Sequence, residues 1–228
     1  MSSRRGGESL PEASAEPFEF ATASYLTRIN NQKATTLQEL LAGIEQASDA
    51  SIFYHTFQSL GQHHFLTEGF SNDFAQWVLA GLNRPELAEQ LAGIDIRDYI
   101  SLPELRADIR RLVAAYCAEN PRMAEMSSFE PFYFSETVEV VFPAGRSAGT
   151  LEQFHDTLQH LGHTSLYYHF IASRLRLQLQ TNDFSHWLSQ SLGMDDLARR
   201  INRIDIYTNT LDSARDKMTE LIEGELRA

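Results

Sequence analysis

Two stretches of this chain carry the same motifs in the same order, and that repetition constrains the fold more than any single residue does. Glu16-Pro17-Phe18-Glu19-Phe20 is matched by Glu130-Pro131-Phe132-Tyr133-Phe134, an offset of 114. Thr36-Leu37 and Thr150-Leu151 keep that offset, as do Ser51-Ile52-Phe53-Tyr54-His55 and Ser165-Leu166-Tyr167-Tyr168-His169. Asn72-Asp73-Phe74 and Trp77 then meet Asn182-Asp183-Phe184 and Trp187 at an offset of 110, which Ile94-Asp95-Ile96 and Ile204-Asp205-Ile206 share. The change of four residues falls in one place, an extra loop around Thr67-Glu68-Gly69-Phe70. The reading is a unit written twice: residues 1–15 a disordered tail, 16–117 a first repeat, 118–129 a linker and 130–228 a second repeat. Two copies are too few for a solenoid, which needs several repeats to bury a continuous core. The expected architecture is mainly α with a few short strands, internally duplicated, in a pseudo-twofold two-lobe arrangement like a fused homodimer.

Local signals place the helices. Thr36-Leu37-Gln38-Glu39 and Thr150-Leu151-Glu152-Gln153 are capping boxes, in which the Thr oxygen takes an orphan amide and the fourth residue reaches back. Apolar stripes follow, Leu37, Leu40, Leu41 and Ile44 in one and Leu151, Phe154, Leu158 and Leu161 in the other. Further helices are expected to begin near Ser51 and Ser165, at Asn72 and Asn182, at Pro85 and at Ser101, the last with Leu105, Ile109, Leu112 and Val113 on one face. Phe18 to Thr22 and Phe132 to Phe142 lack a helical period and carry β-branched residues. They are expected as short strands, paired across the duplication.

Charge and cysteine count exclude several functions. The net charge is −12, and the deficit is shared: residues 16–113 hold 7 basic and 13 acidic groups, residues 130–228 hold 9 and 14. No basic stripe is available for nucleic acid. The single cysteine, Cys117, rules out an intrachain disulfide and suits a reducing compartment, so a cytoplasmic protein is expected. Arg4 and Arg5 are followed by no apolar segment of the kind an export signal needs, and no run reaches the length of a membrane span.

One constellation per repeat can carry chemistry. On a regular helix Ser51, His55 and Ser59 share a face, as do Ser165, His169 and Ser173, and Asp73 and Asp183 can reach the imidazoles from the next helix. Tyr54, His55, Asn72, Asp73 and Trp77, with Tyr168, His169, Asn182, Asp183 and Trp187, are therefore the candidate ligand-binding residues. Rings plus Asn, Asp and His are what a sugar pocket offers, and a His–Asp pair can orient a base. The same pattern equally describes a buried histidine pinned to a helix-start carboxylate, because buried polar groups need partners whether or not they react.

The remaining clusters occur in one copy only. His55, His63 and His64 suggest a metal, but the second repeat has Leu177 and Gln178 where the first has His63 and His64. Glu152-x-x-His155 has di-iron spacing and is answered by Gln38 and Leu41. No metal and no cofactor is expected. Arg174, Arg176, Arg199, Arg200 and Arg203 are candidates for an anion or partner contact, and salt bridging to neighbouring acids is the alternative. Phosphate loops, nucleophile elbows and zinc-protease motifs are absent, so no catalytic framework is visible.

The pair SIFYH…NDFAQW and SLYYH…NDFSHW, flanked by EPFEF and EPFYF, resembles an uncharacterised bacterial family known only as a domain of unknown function. The resemblance spans nearly everything after the tail. It implies a bacterial cytosolic protein, carries a loose association with sugar-polymer or disaccharide metabolism, and assigns no catalytic residue. The expectation is a non-enzymatic interaction or regulatory protein with a protein or small-molecule partner, no nucleic acid and no membrane, its oligomeric state open. The alternative is a small-molecule or carbohydrate-binding protein, an enzyme included.

Overall fold

A computed structural model describes residues 16–58, 70 and 72–227. The tail 1–15, Ser59, His63, His64 and the loop residues Thr67, Glu68 and Gly69 lie outside the described residues. The chain is 60% helical with one two-stranded antiparallel sheet, so the mainly α expectation holds.

The strands are longer than the sequence suggests. β1 runs Phe18–Ala34 and β2 runs Phe132–Ala148. Only the start of each is buried in alternation. Val138 to Ser147 are all exposed, so the extension carries no core-facing period that a sequence reading can detect. Pro143 and Gly145 (φ 67°) also sit in the second strand, and both are tolerated where every strand is an edge.

Several helices start where the sequence places a cap, while the helices expected near Ser51 and Ser165 begin two residues earlier, at Asp49 and His163. α1 (Leu37–Gln46) is capped by Thr36 Oγ1, which accepts from Glu39 N at 3.1 Å. The returning carboxylate of Glu39 lands one residue earlier than a standard box, accepting from Thr35 N at 2.6 Å. Gly149 N donates to Gln153 Oε1 at 2.8 Å in the same way ahead of the Thr150 cap. α2 (Asp49–Phe53) is capped by Ser48 and passes into a π-helical turn, Tyr54–Gln58. α3 (Asp73–Leu82) is capped by Asn72, α4 is Pro85–Ala92, α5 is Leu102–Glu119 and α6 is Pro121–Ala124. After β2 come α7 (Leu151–Leu158) and α8 (His163–Leu166), then a second π-helical turn, Tyr167–Ala172, leading into α9 (Ser173–Leu177). α10 (Asp183–Leu192), α11 (Asp195–Asn202) and α12 (Leu211–Leu226) complete the chain. Among the described residues no helix is long and apolar enough to cross a membrane.

The chain divides into two compact units, and each draws on both halves of the sequence. One contains residues up to Thr22, Phe142–Phe170 and Thr181 onward; the other contains Ala23–Val141 and Ile171–Gln180. The start of β1 therefore packs with helices of the second half. Phe18 lies 5.4 Å from Phe154, 5.5 Å from Phe184 and 5.8 Å from Trp187, centroid to centroid. The start of β2 packs with helices of the first half, where Phe132 lies 5.2 Å from Phe74 and 5.8 Å from Trp77. Edge-on and offset ring pairs at these separations add about 0.5–1.5 kcal/mol each beyond the area they bury.

Candidate functional site

Each histidine sits in a π-helical turn and is almost fully buried, 3% exposed for both His55 and His169. A π turn offsets the helical register, so Ser165, His169 and Ser173 do not form the regular row drawn on an α-helix; Ser59 of the other row lies outside the described residues. In the first turn Thr56 Oγ1 donates to the Ile52 carbonyl at 2.6 Å, satisfying backbone that the altered register disturbs.

The ring nitrogens are held from two sides. His55 Nδ1 lies 2.8 Å from Asp73 Oδ2, and Ser135 N donates to His55 Nε2 at 3.0 Å. His169 Nδ1 lies 2.7 Å from Asp183 Oδ2, and Ala21 N donates to His169 Nε2 at 2.8 Å. An amide nitrogen can only donate, so Nε2 is the unprotonated nitrogen and Nδ1 carries the proton toward the carboxylate. Each imidazole thus bridges a helix start to a strand, as a neutral ring with a defined tautomer.

The other motif residues serve the same junction. Asn72 Oδ1 caps α3 through Ala75 N at 2.9 Å, while its amide donates to the Leu91 carbonyl at the end of α4. Asn182 caps α10 through Ser185 N at 2.9 Å and donates to Asn202 Oδ1 at 3.1 Å. Trp77 Nε1 donates to the Glu130 carbonyl at 2.8 Å, and Trp187 Nε1 to the Glu16 carbonyl at 2.9 Å. These acceptors belong to the two Glu-Pro-Phe segments. Histidine, aspartate, phenylalanine and tryptophan therefore grip one strand start in each unit. Tyr54 and Tyr168 meet the adjacent imidazoles edge-on at 4.8 and 4.9 Å; Tyr54 is half-buried and Tyr168 buried. The hydroxyl of Ser51 is buried with no partner among the described residues.

The arginines are divided between the two units. Arg174 is buried, and it and the exposed Arg176 belong to one unit. Arg199, Arg200 and Arg203 belong to the other, where Arg199 pairs with Asp196 and Arg200 with Glu225 at 3.0 Å. Among the described residues no cluster of histidine, cysteine, aspartate and glutamate is arranged to hold a metal.

A cleft of about 340 Å³ opens in the unit built on α1 to α6. Its walls include Phe53, Leu102 and Leu175, with Thr137, Glu139 and Arg176 as polar members. Of the candidate residues read from the sequence, only Arg176 lines it. The Thr137 hydroxyl bonds the buried Gln58 side chain, and Phe53 stacks on Phe57 at 5.5 Å and on Tyr25 at 6.0 Å. Glu136, nearby on β2, is held below the usual carboxylate range by hydrogen bonds from Ser48 and then Arg28.

A family model described as a family of unknown function, DUF5752, matches residues 15–223. The chain belongs to that family. OrfY from Thermoproteus tenax has a solved structure that covers 96% of this chain, and 100% of its own, at 29% identity and a TM-score of 0.83. No curated protein matches the chain. The family and this neighbour support the fold and name no activity.

Proposed function

We propose that this chain is a cytoplasmic, non-enzymatic interaction or regulatory protein built from a tandem duplication. The observation that carries the reading is that both nitrogens of His55 and of His169 are engaged, one with a helix-start aspartate and one with a strand amide. A general base needs a nitrogen that can face a substrate. Here, exposing one means removing a strand from its seat. The most reactive-looking constellation of the sequence is thus accounted for by holding the strands.

The strands in turn present apolar side chains outward. Leu26 and Ile29 on β1 are 55% and 76% exposed, and Val138, Val140 and Val141 on β2 are also exposed. Exposed apolar residues grouped on an open strand are a feature of interaction surfaces and a hazard otherwise.

The test uses the full chain as bait in lysate of its native host, beside a Val138→Lys/Val140→Lys variant of unchanged melting temperature. A partner retained by the parent and lost by the variant is the expected result. No specific partner, or small-molecule turnover by the purified protein that disappears in His169→Gln at unchanged stability, would overturn the reading.

A further inference from the structure

The cleft beside β2 has the composition of a binding site for one chemical class. Its walls are apolar, from Phe53 on α2, Leu102 on α5 and Leu175 on α9. Its volume, about 340 Å³, lies at the lower end of the range for small-molecule sites. Two side chains of opposite charge, Glu139 and Arg176, are among its lining residues.

Glu139 is the informative one. Among the described residues its carboxylate makes no hydrogen bond or ion pair, whereas Glu136, on the same strand, is tied to Ser48 and Arg28. Glu139 is exposed at the rim of the cleft, where a carboxylate without an internal partner can receive a cation. Arg176 has contacts of its own, and its guanidinium carries five N–H donors in a fork. It suits a carboxylate in two parallel bonds. Phe53 is backed by its stack on Phe57 and Tyr25, which makes it a firm wall for an apolar group.

We propose that this cleft binds a small zwitterion with an apolar side chain, that is, an α-amino acid of the leucine or phenylalanine type. Its ammonium group meets Glu139, its carboxylate meets Arg176, and its side chain lies against Phe53, Leu102 and Leu175. The site is independent of the His–Asp constellation, and it can stand or fall apart from the interaction reading.

The experiment is calorimetric titration of the full chain with L-phenylalanine and L-leucine, alongside glycine, N-acetyl-L-phenylalanine and L-phenylalanine amide. Saturable binding of the first two is expected. Loss of at least tenfold in affinity is expected for glycine, which lacks the side chain, and for each capped compound, which lacks one charge. Glu139→Gln and Arg176→Gln should each weaken L-phenylalanine at least tenfold. Glu139→Gln should leave the melting temperature unchanged, because the carboxylate makes no internal bond. Binding of N-acetyl-L-phenylalanine as tight as that of L-phenylalanine would overturn the proposal in favour of a simple anion pocket. Equal binding by Glu139→Gln, or no saturable binding of either amino acid at millimolar concentration, would also overturn it.

Discussion

Replacing His169 by Leu tests whether the imidazole is a structural bridge. The substitution keeps an apolar group of comparable bulk among Phe18, Phe184 and Tyr168 and removes both ring nitrogens. Two partners are stranded. Ala21 N loses its acceptor at 2.8 Å, and Asp183 loses a donor at 2.7 Å while its side chain is only 14% exposed. Leaving a fully buried amide unsatisfied costs about 1–3 kcal/mol, and a bond to a charged group contributes about 1.5–3 kcal/mol. Ala21 is half-buried and Asp183 partly hydrated, which reduces both terms, so the expected loss is about 2–4 kcal/mol. That is a large share of a typical total of about 5–15 kcal/mol. In melting temperature it corresponds to a fall of roughly 4–16 °C for a chain of this size.

The assay is urea unfolding followed by circular dichroism and by Trp187 fluorescence in a Trp77→Phe background, which leaves one tryptophan as reporter. Amide exchange at Ala21 supplies the local readout. Asp183→Asn keeps an acceptor oxygen for Nδ1–H and should cost only about 0.5–1.5 kcal/mol. The double-mutant cycle should give a larger coupling for His169–Asp183 than for His55–Asp73, because Asp73 is 29% exposed and better served by water. A loss below about 1 kcal/mol in His169→Leu, within reach of ordinary surface substitutions, together with unchanged protection at Ala21, would refute the bridge.

Gly43→Ala should destabilise by about 1–3 kcal/mol, the usual range for overpacking, because a Cβ there would clash with the ring tip, Cζ and Cε2, of the fully buried Phe134; Phe134→Leu in the same chain should recover part of the loss, read by urea midpoint. Glu136 has a folded pKa below its ordinary value, so its stabilising contribution is present above the ordinary carboxylate range and is lost as pH falls through the folded value; Glu136→Gln should therefore flatten the acid limb of a melting-temperature profile below about pH 4. Burial pushes the Cys117 thiol up, so reaction with a disulfide reagent at neutral pH should be slow in the native protein and fast in urea; rapid native labelling would mean that α5 opens readily.

The helix starts were legible because capping is local. Thr36, Asn72, Ser101, Thr150 and Asn182 each cap through an amide three residues ahead, within the window that a sequence pattern spans. The pairing of Asp73 with His55 and of Asp183 with His169 was legible for a similar reason, since neighbouring helices bring them together. The other half of each bridge was not. Ala21 lies 148 residues from His169, and Ser135 lies 80 from His55. Spacing within one half of the sequence cannot reveal a donor that arrives from the other half. The repeated Glu-Pro-Phe segments stood out in the sequence, but their link to Trp77 and Trp187 runs through backbone carbonyls, which no side-chain pattern encodes. The π turns were invisible too, because Tyr54–Gln58 and Tyr167–Ala172 contain residues that an α-helix accepts equally well.

The repeated motifs and the cleft therefore answer different questions. A residue set that recurs with the same bonds in both units, His with Asp, Asn with the helix amide and Trp with the Glu carbonyl, meets a requirement that both strand starts impose. Such a set need not report on anything the protein recognises. Recognition is better sought where corresponding positions differ. Glu139 corresponds to Tyr25, whose ring is stacked on Phe53, and Arg176 corresponds to Gln62. At these positions residues 16–117 carry no charge, and residues 130–228 carry the acid and the base that line the cleft. A zwitterion would therefore be recognised by charge at two positions where the matched motifs differ, while the bonds that hold the strands are left the same.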